Sequence, residues 1–132
     1  MARGEGGTDM TTTREAVFSA LNVTAITSLL QADANGRSIY HVRSPDAGSY
    51  PILIYSIISD VPALTADNTE EERRVTVRIH ICTKDAAYEP IFKQVNAAML
   101  GIGAMRYSTN EIFVDGEFIM VCDYTLGQGV DW

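Results

Sequence analysis

The sequence predicts an α+β domain in which helices pack on one face of a mostly antiparallel sheet of four to five strands. Three observations lead to this fold class. Residues 75–81 alternate β-branched and polar side chains, which is typical of a half-buried strand. Residues 91–99 place apolar side chains at helical spacing, which predicts a helix with one face on a core. Asp115-Gly116 separates two apolar runs and predicts a tight hairpin turn, the connection that joins antiparallel strands.

The length and composition fit one globular domain. The chain has 132 residues, of which 46% are hydrophobic and 20% charged. Residues 1–11 are predicted to form a flexible Gly-rich arm, residues 12–126 a single domain and residues 127–132 a loose tail. Residues 1–7 lack the apolar core of a signal peptide, and no apolar run reaches the length of a membrane span. We therefore expect a cytoplasmic protein with no membrane partner.

The first elements are short. Thr12 and Glu15 have the spacing of a capping box, which predicts the start of a helix. Apolar residues between 26 and 30 suggest a second helical turn or two. A turn is expected at residues 34–36, followed by a strand at residues 38–43 that residues 44–48 would end.

Residues 51–59 are apolar on both faces, which predicts a central strand with helices on one side and a partner surface on the other. Residues 60–74 are then predicted to form a long polar loop. Such a loop is either a solvated connector or a functional segment, and the sequence leaves both readings open. The candidate assembly or channel residues on it are Asp67, Glu70, Glu71, Glu72, Arg73 and Arg74.

After the strand at residues 75–82, the side-chain oxygens of residues 83–85 are predicted to cap the following helix. Pro90 fits only its first turn, and Gly101 is expected to be its left-handed C-cap. Residues 112–114 and 117–126 are then predicted to pair through a type I′ turn, after a polar run that ends at residue 110.

The sequence contains little that suggests catalysis. One Cys-His-Asp combination can be imagined from two histidines, two cysteines and an aspartate, but no spacing brings them together. These residues are His41, His80, Cys82, Cys122 and Asp123. Both cysteines fall in predicted strands, so buried free thiols are expected.

Metal and cofactor motifs are also missing from the sequence. Residues 33–36 (Asp-Ala-Asn-Gly) begin like a calcium loop, but the later ligand positions do not continue it. Residues 101–103 and 127–129 are isolated Gly-x-Gly fragments without the context of a dinucleotide site. We therefore predict no catalytic residues, no metal ligands and no cofactor.

The order and spacing of the apolar segments resemble the phage tail-completion family, small proteins of siphophages and prophages that join head to tail. The likeness covers most of the chain, from about Thr13 to Tyr124. It rests on residues 29–33 (Leu-Leu-Gln-Ala-Asp), 36–40 (Gly-Arg-Ser-Ile-Tyr), 49–56 (Ser-Tyr-Pro-Ile-Leu-Ile-Tyr-Ser), 74–81 (Arg-Val-Thr-Val-Arg-Ile-His-Ile) and the closing Asp123-Tyr124.

The resemblance implies a structural role without catalysis. Family members are similar in fold to tail terminators, whose rings, typically hexamers, stop growth of the tail tube and dock on the head connector. It implies assembly in the host cytoplasm and a place in the virion, with partners among copies of the chain, connector proteins and tail tube proteins. DNA would pass through the ring without specific binding, and the net charge of −7 suits such a channel. We hypothesise that the acidic residues of the predicted loop face the channel or a neighbouring subunit.

Two other function classes remain open from the sequence. One is a small-molecule-binding α+β module that uses the strand at residues 51–59 as a pocket wall. The other is a small enzyme that uses Cys82 or Cys122 as a nucleophile. A closed apolar pocket would favour the first, an accessible thiol the second, and an exposed apolar edge would favour assembly.

Overall fold

The computed structural model describes residues 10–42, 50–66 and 69–129, with side chains at 13–42, 50–62 and 74–127. It contains a five-stranded sheet and three helices, which confirms the predicted fold class. In chain order the elements are α1 (Met10–Leu21), α2 (Thr24–Thr27), β1 (Ile39–His41), β2 (Ile52–Ala66), β3 (Thr69–Thr83), α3 (Glu89–Gly101), β4 (Met105–Val114) and β5 (Glu117–Gly129).

The strands lie in the order β1-β2-β3-β5-β4, so that β1 and β4 form the two edges of the sheet. β1 pairs with β2 in parallel, and every other pair is antiparallel. The parallel pair aligns Ile39 with Leu53 and His41 with Tyr55.

The core lies between one face of the sheet, here called the helix face, and the three helices. Side chains of the central strand β3 alternate, so Val75, Val77, Ile79 and Ile81 all point to the helix face and are fully buried. They pack against apolar side chains at helical spacing on α1, α2 and α3, namely Val17, Leu21, Ile26, Ile91, Val95 and Met99. The other face of the sheet, here called the open face, carries no helix in the described part of the chain.

The end of α3 differs in detail from the prediction. Gly101 still belongs to the helix, and Gly103 is the residue with positive φ, at +89°. The Ala104 N–H donates to the Met99 carbonyl at 3.0 Å, and the Gly103 N–H donates to the Leu100 carbonyl at 3.0 Å. These two bonds form a Schellman motif, so the left-handed C-cap is two residues later than expected.

The polar residues before α3 support a loop and do not cap the helix directly. The Thr83 hydroxyl accepts a hydrogen bond from the Ala86 N–H at 2.9 Å, and the Asp85 carboxylate accepts one from the Ala87 N–H at 3.1 Å. The N-cap residue is Tyr88, which makes no side-chain cap, and Pro90 occupies the first turn as predicted.

The hairpin at Asp115-Gly116 is confirmed. Both residues have positive φ, at 52° and 79°, as a type I′ turn requires. The first strand of this hairpin is longer than predicted, because β4 begins at Met105 and includes the polar residues before Ile112. Those residues pair with β5 as far as Thr125, so pairing decides their conformation despite their polarity.

The predicted loop at residues 60–74 is wrong. β2 continues to Ala66 and β3 begins at Thr69, so the two strands form one long hairpin whose turn lies outside the described residues. The predicted loose tail is also wrong over residues 127–129, because β5 pairs there with Glu72, Arg73 and Arg74 of β3. Backbone ladders do not depend on apolar side chains, so a polar sequence can remain a strand where it has partners on both sides.

Other boundaries differ by a few residues. α1 begins at Met10, two residues before the proposed capping box, and β1 covers only part of the predicted strand at residues 38–43. The expected turn at residues 44–48 and most of the expected N-terminal arm lie outside the described residues.

Candidate functional site

The structure places most of the predicted assembly residues on a strand. Glu70, Glu71, Glu72, Arg73 and Arg74 lie on β3, and the described side chain of Arg74 is exposed. Asp67 lies outside the described residues. The hypothesis that these charges face a channel or a neighbouring subunit remains a prediction.

Exposed apolar side chains are unevenly distributed over the described part of the chain. Among the described side chains, thirteen large hydrophobic ones are exposed. Seven of them lie between residues 100 and 114, on the end of α3, on β4 and between the two. Of the other six, two lie on β2 and one on α1, and three lie between elements; these six are Ile58, Val61, Phe18, Val23, Leu29 and Val42. The largest group of exposed apolar side chains therefore lies at the β4 edge of the sheet.

The β4 edge is a long strand whose pairing with β5 has one register shift, between Arg106 and Ser108, against three in the pairing of β2 with β3. It has ten residues, no proline and only two charged side chains, Arg106 and Glu111. Its exposed apolar side chains include Tyr107 at 73%, Met105 at 69% and Phe113 at 61% exposure. Because no strand lies beyond β4 in the described sheet, half of its backbone N–H and C=O groups have no partner strand. This edge was not predicted from the sequence, because the residues before Ile112 are polar and indicate a polar run and not a strand.

A groove lies between α3 and β5, the strand that pairs with β4. Its volume is about 720 Å³, and its walls include Pro90, Phe92 and Lys93 of α3 and Met120 of β5. The Arg106 guanidinium lies over the Phe92 ring, 5.6 Å from its centroid, and so links β4 to α3. The apolar surface of the edge thus continues onto the helix.

The β1 edge faces a larger groove, here called the α1–β1 groove. This groove has a volume of about 880 Å³, and it is lined by every residue from Gly36 to His41 together with Phe18 of α1, Asn22 just after it, Thr27 of α2 and Ala32. Successive side chains of a strand point to opposite faces, so an unbroken run of lining residues means that the groove follows the free edge of β1.

Hydrogen bonds identify which backbone groups of β1 face this groove. The Leu53 N–H donates to the Ser38 carbonyl at 3.0 Å, and the Val42 N–H donates to the Tyr55 carbonyl at 2.9 Å. Residues whose backbone groups face β2 alternate with residues whose groups face away. The N–H and C=O groups of Ile39 and His41 therefore point away from β2, toward the groove.

One end of the groove carries titratable side chains. A second hollow of about 460 Å³ shares Phe18 and His41 with the α1–β1 groove and is also lined by Arg14, Glu15, Ser19 and Tyr55. The His41 ring lies 5.2 Å from the Tyr55 ring. Partial burial and the charge of Arg14 lower the pKa of His41, so the imidazole is neutral at neutral pH.

Asp33 stabilises the turn that leads into the groove-lining segment. One carboxylate oxygen accepts hydrogen bonds from the Asn35 N–H at 2.7 Å and the Arg37 N–H at 3.0 Å, and the other accepts one from the Tyr40 hydroxyl at 2.8 Å. The hydrogen bond from the Arg37 backbone, followed by that from Tyr40, lowers the pKa of Asp33. The segment that begins like a calcium loop is therefore an Asx turn, with Gly36 at φ +77°.

The structure gives no support to the Cys-His-Asp combination considered from the sequence. Both thiols are free and buried, and burial raises the pKa of each to about 12, so they stay protonated at neutral pH. The prediction of buried free thiols is thus confirmed. Cys122 points to the helix face, and the Asp123 carboxylate forms a bidentate pair with Arg78 at 2.9 and 3.0 Å.

The open face carries a smaller cluster of packed side chains. Tyr40, Ile52 and Cys82 are buried there and contact partly buried apolar neighbours. The Tyr50 hydroxyl donates a hydrogen bond to Glu117, and Lys84 lies over the Tyr50 ring at 4.8 Å. The side chains of this cluster on the open face therefore contact one another.

Comparison with other proteins does not identify the chain. No family model matches it, and no curated protein sequence matches it. In the described part of the chain no three His, Cys, Asp or Glu side chains are grouped to hold a metal ion. Among the same residues, no helix is long and apolar enough to cross a membrane.

Proposed function

We propose that this protein is a structural component of a phage or prophage virion that completes the tail and joins it to the head connector by assembling into a ring. The observation that carries the proposal is the pair of different edges on opposite sides of the sheet, an exposed apolar strand at β4 and the α1–β1 groove at β1. A surface at β4 that fits a different surface at β1 produces head-to-tail contacts between copies. Repeated head-to-tail contacts close into a ring when the rotation between neighbours allows it.

The long hairpin of β2 and β3 supports a channel role. The start of β3 is paired with β2, and from Glu72 onward β5 pairs on its other side, so that a three-stranded ribbon begins at Glu72. Glu70 and Glu72 are paired with β2, and Glu71 lies at a register shift between them, so the three acidic residues follow one another on a strand in every copy. A ring of such ribbons would repel the phosphate backbone, which suits DNA that must slide without binding.

The test is the solution mass of the intact chain, measured by light scattering over a range of protein concentrations. We expect a hexamer, or a monomer that converts to one as concentration rises, and rings in electron micrographs. A strictly monomeric protein at all concentrations, with no rings after addition of head connectors or tail tubes, would reject the proposal.

A second candidate function is binding of a small molecule in the α1–β1 groove. The groove is the observation that favours it, because its walls combine the apolar Phe18 and Ile39 with polar groups of Arg37 and Tyr40. The groove is nevertheless open along a strand edge, whereas small-molecule sites are usually enclosed. A ligand that raises the melting temperature of the wild type but not of Phe18→Lys would support this function.

A further inference from the structure

We propose that β4 of one copy adds to the free edge of β1 in the α1–β1 groove of the next copy, so that the sheet continues from subunit to subunit. This inference rests on the proposed function and specifies its interface. The occupant of the groove is therefore a second copy of this chain. The interaction is strand addition, in which backbone hydrogen bonds hold the partner and side-chain contacts select it.

The strand directions favour this pairing. β1 runs parallel to β2, and three successive antiparallel pairs then connect β2 to β4. β1 and β4 therefore run in opposite directions. If neighbouring copies are related by a rotation about an axis along the strands, each copy keeps its strand direction, and β4 meets β1 of its neighbour in the antiparallel orientation.

The groove offers what an added strand needs. Ile39 and His41 each point an N–H and a C=O away from β2, and these four groups form the hydrogen-bonding template. The wall opposite β1 is supplied by α1, where Phe18 is 37% exposed and can pack against an apolar side chain of the added strand. A strand held between a sheet edge and a helix is a recurring form of strand addition.

Charge and exposure match β4 to the groove. Among the described residues, the charged ones that line the groove and its adjoining hollow are Arg14, Glu15 and Arg37, an excess of one positive charge in a chain of net charge −7. β4 carries one charge of each sign, with Arg106 in its first half and the exposed Glu111 in its second half, beside the exposed Ile112 and Phe113. The second half of the added strand thus brings apolar side chains and a carboxylate to a groove with aromatic and cationic walls.

Two other pairings are less suited to a ring. Pairing of β4 with β4 of another copy is symmetric, closes at two subunits and leaves the groove empty. Pairing of β4 with the outer edge of β2 meets Pro62 and three register shifts, features that protect a strand edge from addition. β1 is short, with three residues, but it contains no proline and pairs with β2 without a register shift.

The test is cross-linking between separately purified single-cysteine variants of the full chain. One set carries Tyr107→Cys, Asn110→Cys or Ile112→Cys on β4, and the other variant is Val42→Cys, at an exposed position that directly follows β1. Because Cys82 and Cys122 are buried and protonated, they can stay in place when a short bismaleimide is added to the folded protein. The control pair is Ile58→Cys with Val42→Cys, since Ile58 at 44% exposure matches Ile112 at 43%.

We expect a covalent heterodimer when at least one β4 variant is mixed with Val42→Cys, and no such product from the control pair or from either variant alone. A homodimer from Ile112→Cys alone would show that β4 pairs with itself and would overturn the inference. Oligomers without any product between β4 and Val42 would overturn the inference and leave the proposed function standing. If the wild type forms no oligomer, alone or after addition of head connectors or tail tubes, the proposed function fails first and the inference with it.

Discussion

The two edges of the sheet differ in almost every property that governs strand pairing. β4 has ten residues and exposes Met105, Tyr107 and Phe113 directly to solvent, whereas β1 has three residues and lies beside a groove with a helix as its far wall. The proposed contact uses this asymmetry, because an exposed long strand and a groove beside a short one are unlike surfaces, as head-to-tail association requires.

The outer edge of β2 provides an internal reference for that comparison. Beyond β1 it is also unpaired in the described sheet, yet it contains Pro62 and three register shifts, and among its described side chains the large exposed apolar ones are Ile58 and Val61. The β4 edge has no proline and a single register shift, so the same chain protects one long edge more than the other. We infer that the exposure of β4 serves a contact and does not reflect an indifferent surface.

The largest expected effect is on assembly, from a lysine placed in β4. Ile112→Lys should weaken subunit contacts by about a hundredfold, because a buried unpaired ammonium costs roughly 3 kcal/mol. The matched control Ile58→Lys changes a side chain of the same type and nearly the same exposure on β2. Light scattering would compare the two, and equal loss of assembly in both variants would remove the distinction between β4 and β2.

Replacement of two glycines at the end of α3 by alanine should change the free energy of unfolding in opposite directions. Gly103→Ala should lower the free energy of unfolding by about 1–2 kcal/mol, because its φ of +89° disfavours any residue with a Cβ. Gly101→Ala should raise it by about 0.5–1 kcal/mol, because Gly101 is helical and its added Cβ meets no atom within 4 Å. Urea denaturation measures both. Because Gly103 leads the chain from α3 into β4, its variant should also weaken assembly, which Gly101→Ala should not.

A pH titration tests how His80 contributes to the free energy of unfolding of the subunit. Burial, followed by the charge of Arg78, lowers the pKa of His80 on the open face. The unfolded state therefore binds a proton first as pH falls, so stability is complete above about pH 6.5 and is lost as pH drops below that value. His80→Gln should flatten this acid-side loss in urea denaturation. An unchanged profile in the variant would show that other groups cause the loss, with His41 the next to replace.

The sequence predicted the parts of the fold that depend on side-chain periodicity. The alternation in β3, the stripe of α3 and the turn at Asp115-Gly116 are all confirmed. It did not predict the second half of the β2–β3 hairpin or the first half of β4, since these polar strands are held by backbone ladders to distant segments. The exposed edges were also not predicted, because which strand lies at an edge depends on the order of strands in the sheet.

The smallest expected effect concerns Val42, which has the unfavourable φ of 74° for a β-branched residue and is 60% exposed at the end of β1. Val42→Gly should raise the free energy of unfolding by about 0.5–1 kcal/mol, since relief of the strained backbone exceeds the entropy cost of glycine. The same change removes an apolar side chain beside the α1–β1 groove, so assembly should weaken while the subunit becomes more stable. Val42→Asn, which tolerates this conformation and keeps a side chain, is the control for backbone relief alone. Urea denaturation and light scattering on the same samples would measure the free energy of unfolding and the strength of assembly. A gain in both would place Val42 outside the contact.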